Sequence, residues 1–144
     1  MQLMTKEIER RLPPLLSTQN LKSEQIDVVA KFFTPWGDWS WYATEGERQS
    51  DGDWMFFGWV DGDYPELGQW LLSQLQEVVG PMGLKIERDR GFKAKLSEVM
   101  GEDKKSWFDS HVEVIGLDAK EKKLLKEAML LHGKQRYGSG FDLD

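Results

Sequence analysis

Apolar and polar positions along this chain change period several times, and each change marks an element. Leu3, Ile8 and Leu12 recur at helical spacing around residues 5–12, and Pro13-Pro14 ends that helix, because proline donates no hydrogen bond and disfavours α geometry before it. Residues 27–33, DVVAKFF, are β-branched and aromatic and run into the turn sequence Thr34-Pro35-Trp36-Gly37, which predicts a strand. In WSWYATE, residues 39–45, Trp39, Trp41 and Ala43 alternate with Ser40, Tyr42 and Thr44, predicting a second strand. The polar stretch 46–53 reads as a hairpin loop. WMFFGWV, residues 54–60, reads as a third strand, apolar on both faces and therefore central.

The segment 66–79 fits one long amphipathic helix through Leu67, Trp70, Leu71, Leu75 and Val78. Ser73 and Gln76, spaced as a capping box, and the weak helix former Gly68 divide it instead into a strand over 67–72 and a helix over 74–79. From 84 to 99 the pattern is poor, with Phe92, Leu96 and Val99 fitting either a helix or an extended flank. Residues 107–115 suggest a further strand. Asp118 and Glu121 cap a last helix over 119–132, and the glycine-rich tail 134–144 is expected to be loose. These elements predict an α+β fold, an antiparallel sheet of about four or five aromatic-rich strands packed with short helices. Residues 1–99 form its body, and 100–144 a C-terminal extension packed on the same domain, with a weak boundary at MGEDKK, 100–105.

Composition narrows the setting. The 144 residues, 40% hydrophobic and 31% charged, suffice for one core without disulfides or a structural metal. There is no cysteine, so thiol nucleophiles, Cys-ligated zinc and iron–sulfur clusters are excluded, and a reducing cytoplasm is the expected location. Residues 1–12 lack the apolar run of an export signal, and no window approaches the ~18 to 20 apolar residues of a membrane span.

The formal charge of −6 sits in one stretch: Glu45, Glu47, Asp51, Asp53, Asp61, Asp63 and Glu66 face only Arg48. A negative surface opposes tight binding along a nucleic-acid backbone. Lys85, Arg88, Arg90, Lys93 and Lys95 are the residues from which a local basic strip could still form.

Several uncommon strings occur in order: Leu12-Pro13-Pro14-Leu15, KFFTPWGDWSWYATE (31–45), FFGWV (56–60), the segment 66–77, GPMGLKIERD (80–89) and Leu96-Ser97-Glu98-Val99. Together they resemble the family called domain of unknown function 2958, over residues 5–99; the extension 100–144 lies outside the resemblance. The resemblance implies a bacterial or phage protein of the sort carried on plasmids, conjugative elements and prophages. It carries over no catalytic motif. Some relatives bear an automatic label of single-stranded DNA endonuclease, which enters as an alternative only.

Candidate chemistry starts with the rings. Phe32, Phe33, Trp36, Trp39, Trp41, Tyr42, Trp54, Phe56, Phe57, Trp59, Tyr64 and Trp70 fall within 39 residues. Exposed on a sheet, they could stack single-stranded bases. With Lys31 nearly alone among them, most are better explained as core, and any left over would bind protein. Trp36, Trp39 and Tyr64, with Asp51, Asp53, Asp61 and Asp63, are the candidate binding residues.

Neither Asp51-Gly52-Asp53 nor Asp61-Gly62-Asp63 opens an EF-hand, since Gly62 and Leu72 stand where the bidentate Glu belongs. A hairpin of strands two and three would put Glu45 to Asp53 at one end of the sheet and Asp61 to Glu66 at the other. Asp38, Asp61, Asp63 and Glu66 are then the one set that could serve a metal-dependent nuclease. His111 and His132 lack the partners of a metal helix, Glu121-Lys122-Lys123 reads as a solvated helix face, and no phosphate loop precedes a helix.

The leading expectation is a non-enzymatic accessory protein that binds another protein, one version being an acidic decoy or modulator of a host defence or DNA-processing factor. No cofactor or metal is expected. The alternatives are a metal-dependent single-stranded DNA endonuclease using the four carboxylates, and a salt-dependent nucleic-acid-binding module using the basic strip.

Overall fold

Thr5 opens the first helix, α1 (Lys6–Arg11), by accepting the N–H of Ile8 on its hydroxyl at 3.2 Å, and the chain leaves helical geometry at Leu12, one residue ahead of the prolines. The protein is described by a computed structural model over residues 1–111. Its main sheet contains β2 (Ala30–Phe33), β3 (Ser40–Arg48), β4 (Trp54–Asp61), β5 (Glu66–Leu71) and β6 (Glu87–Arg88), antiparallel in the order β5-β4-β3-β2-β6. A second, two-stranded sheet joins β1 (Asp27–Val28) to β7 (Ala94–Lys95). Short helices α2 (Leu72–Glu77), α3 (Leu96–Val99) and α4 (Glu102–His111) complete the α+β fold.

Alternation along the strands gives the sheet two apolar faces, and both are covered. On one, Phe32, Trp41, Ala43, Phe56, Val60 and Trp70 pack beneath Ile8 and Leu12 of the N-terminal arm and Leu75 and Val78. Phe56 stacks on Trp70 at 5.7 Å and meets Phe32 at 5.5 Å. On the other, Trp59 packs with Ile26, Leu96 and Met100, while Met55 and Leu71 take Leu15. Full burial of a ring such as that of Phe32 contributes roughly 1.5 to 3 kcal/mol. The rings are therefore mainly core, as their number suggested.

Gly58 permits the close approach of β3 and β4. A Cβ there would lie 1.8 Å from the carbonyl oxygen of Tyr42, which is backbone and cannot yield.

The structure corrects four expectations. The run 27–33 is two strands rather than one: Val28 pairs with Ala94 in the small sheet, whereas Ala30 pairs with Ala43 in the large one. The strand expected to end at Glu45 continues to Arg48, so the hairpin loop is shorter. The helix expected over 74–79 starts two residues earlier. Ser73 and Gln76 do not cap it; instead Gln74 Oε1 accepts the N–H of Leu71 at 2.9 Å, and the hydroxyl and N–H of Ser73 both go to Asp53.

Finally, the strand expected from 107 is helical as far as His111, within α4. The preceding EDKK run favours helix, and Phe108 reaches the Ile26, Leu96 and Met100 cluster. Asp109 also accepts the N–H of the fully buried Ser23 at 2.8 Å and its hydroxyl at 3.2 Å. The remainder of that expected strand, the helix over 119–132 and the tail lie outside the described residues.

Candidate functional site

Ser40 pairs with Asp61, so the β2–β3 turn and the β4–β5 turn emerge at the same end of the sheet. Phe33 pairs with Glu87, which brings the chain entering β6 to that end as well. Thr34 ties the first turn: its N–H donates to the Trp39 carbonyl at 3.0 Å, and its hydroxyl oxygen accepts the Trp39 N–H at 3.2 Å.

Two tryptophans brace this end. The Trp39 ring covers Gly62, where a Cβ would sit 2.6 Å away, and the Trp36 ring covers Gly80, where it would sit 2.5 Å away. Both rings are partly buried against the main core, so they support turns more than they offer stacking faces. Tyr64 is different, at 84% exposed.

The Gly80 turn carries the most exposed large apolar side chain among the described residues. Met82 is 99% exposed and stands in left-handed backbone at φ 59°, with Val79 and Leu84 also exposed beside it. Despite that exposure the turn is closed. Gly80 N–H donates to the Leu84 carbonyl at 2.7 Å, Leu84 N–H to the Pro81 carbonyl at 3.1 Å, and Val79 bridges to Lys85.

The acids divide as the hairpin topology predicts. Asp61, Asp63 and Glu66 lie at the end described above, with Asp38 in its first turn. Asp38 and Asp63 are exposed and the other two are half-buried. Among the described residues no group of three or more His, Asp or Glu side chains is placed to hold a metal ion, so the four carboxylates share an end without converging as ligands. Asp51 and Asp53 sit in the opposite hairpin and serve structure. Asp51 accepts the Asp53 N–H at 3.0 Å, and Asp53 accepts the N–H and hydroxyl of Ser73 at 3.1 and 2.5 Å.

The basic residues do not lie on one element. Arg88 is on the edge strand of the large sheet, with its Nε donating to the Gln2 carbonyl at 3.3 Å, while Lys95 is in the small sheet and paired with Asp27 at 2.6 Å. Lys85, Arg90 and Lys93 are exposed in the connecting segments.

Two features escaped the sequence pattern. Glu45, in the sequence the last residue of the second strand and one of the acids of the charged stretch, is 2% exposed and accepts the N–H of Leu16 at 2.7 Å, the N–H of Thr18 at 3.0 Å and the Thr18 hydroxyl. A bulge at Thr44 shifts the register so that Glu45 pairs with Phe57 and turns away from the face of Trp41 and Ala43. The other feature is a cleft of about 250 Å³ beside this anchor, between the arm and the segment leading into β1. For Met82 a signal did exist, since the glycines at 80 and 83 mark a turn around it.

The family model described as "Protein of unknown function (DUF2958)" matches residues 3–101. The chain belongs to the DUF2958 family. The matched DUF2958 region contains both sheets, the exposed turns and the Glu45 anchor, and ends just before α4. No curated protein and no solved structure matches the chain.

Proposed function

We propose that this DUF2958 protein works by binding another protein through the turn end of its sheet. Met82 carries the reading: a large apolar side chain, almost wholly exposed, on a closed turn braced by Trp36. Left-handed backbone costs a residue with a side chain roughly 1 to 2 kcal/mol. Retaining such a residue in solvent gives the folded protein nothing, whereas a partner's pocket would gain its apolar surface with little loss of loop entropy.

Tyr64 widens the surface. It stands exposed in the β4–β5 turn, which emerges at the same end of the sheet as the Trp36 turn that braces Gly80. Exposed Asp38 and Asp63 favour a partner with a basic rim. An accessory role on a mobile element, with a host factor as the partner, is one form of this reading. Its decoy version draws less support, because Glu45 is buried and Asp51 and Asp53 lie at the far end of the hairpin.

A photo-crosslinking amino acid at position 82 tests the proposal, with Glu24 as an exposed control position. In extract of the source cell, position 82 should give a discrete protein adduct that excess unlabelled wild type competes away. Adducts of equal pattern from both positions, or none from position 82, would count against it.

A further inference from the structure

Beside the Glu45 anchor, the cleft of about 250 Å³ lies between Arg11, Pro13, Thr18 and Leu21 of the arm and Gln25, Ile26, Asp27 and Val29, with Thr44 also on its wall. Its charged groups are not equivalent. Asp27 is compensated by Lys95 at 2.6 Å, while Arg11 has no ion pair among the described residues. The hydroxyl of Thr18 is committed to Glu45. That of Thr44, 3% exposed, gives its proton to the Phe57 carbonyl at 3.2 Å and keeps oxygen lone pairs to accept with. Pro13, Leu21, Ile26 and Val29 make the rest of the wall apolar.

We infer that this cleft binds a small monocarboxylate, its anionic head on the Arg11 guanidinium and its short apolar body against Ile26 and Val29. A single cation without an ion pair among the described residues matches one negative charge, and a guanidinium fork accommodates a carboxylate in bidentate fashion. A phosphate dianion would call for a second cation, and among the described lining residues Arg11 is the one cation. The cleft has room for a short-chain acid. A carboxylate there would lie against the arm that Glu45 fastens, and so would bind only the docked arm.

Titration of the ¹⁵N-labelled full chain with hexanoate, hexylamine and hexanol, followed by backbone amide shifts, tests this inference. Hexanoate should produce saturable shifts at Thr18, Gln25, Val29 and Thr44, and hexylamine none there. Arg11→Gln, an exposed change that preserves the dispersed spectrum, should weaken hexanoate at least tenfold. Absent saturation with hexanoate, equal shifts from hexanol, or an undiminished response in Arg11→Gln would each overturn it.

Discussion

The carboxylate of Glu45 accepts the backbone N–H of Leu16 at 2.7 Å across 29 residues of sequence, and Leu16 stands at φ 68°, in left-handed backbone that a leucine seldom adopts. The bond explains how that geometry persists. The arm after Pro13-Pro14 is folded onto β3 by Glu45, by Gly46 N–H donating to the Pro13 carbonyl at 2.9 Å, and by Glu47 accepting the Leu15 N–H at 3.2 Å. Leu15 then closes the cluster over Met55 and Leu71.

Removing this acceptor should be costly. Glu45→Ala leaves the N–H groups of Leu16 and Thr18 without their partner, and unsatisfied buried donors cost about 1 to 3 kcal/mol each. Urea unfolding should show a loss of about 2 to 4 kcal/mol, with Glu45→Gln losing less because it keeps one acceptor oxygen. A loss below about 0.5 kcal/mol, typical of a surface substitution, would mean that the carboxylate does not hold the arm.

Gly58→Ala should be worse still. The added Cβ would lie 1.8 Å from the Tyr42 carbonyl oxygen, so β3 and β4 would have to separate at the middle of the sheet. We expect a loss of about 4 kcal/mol or more, or no soluble protein. Gly101→Ala, where the Cβ meets open space, is the control and should melt close to wild type.

Asp53 is expected to matter for stability and not for binding. Asp53→Ala removes the acceptor for both Ser73 groups at the start of α2, and losses of this capping kind run about 0.5 to 2 kcal/mol. Thermal melting should fall accordingly, while crosslinking from position 82 should be unchanged. A variant of wild-type stability that no longer crosslinks would place Asp53 in the binding surface instead.

Much of this fold is legible in the sequence where local signals and tertiary pairing agree. The proline pair marks the end of α1, and the alternation in WSWYATE and the apolar run WMFFGWV yield the hairpin and the division of acids between two ends. Signals fail where partners are distant. Nothing between Asp27 and Phe33 reveals that Val28 and Ala30 pair in different sheets, since that depends on Ala94 and on Ala43. Ser73 has the spacing of a cap, yet Asp53, 20 residues away, takes both of its donors. Glu45 reads as the last residue of the second strand, and its turn onto the arm escapes because a bulge is invisible to an alternating pattern. At the candidate site the sequence points to Tyr64; for Met82 the glycines at 80 and 83 mark only a turn, and methionine is ordinarily a core residue.

The exposed turn allows stability and binding to be separated at a single residue. Glycine at position 82 relieves the left-handed strain while adding freedom to the unfolded chain, so Met82→Gly should leave stability equal to wild type or higher by up to about 1 kcal/mol. It also removes the apolar side chain. The most direct measurement is competition of the position-82 crosslink by unlabelled Met82→Gly against unlabelled wild type. The account predicts that Met82→Gly, folded and as stable as wild type, competes at least tenfold less well. Equal competition by the two proteins would contradict it.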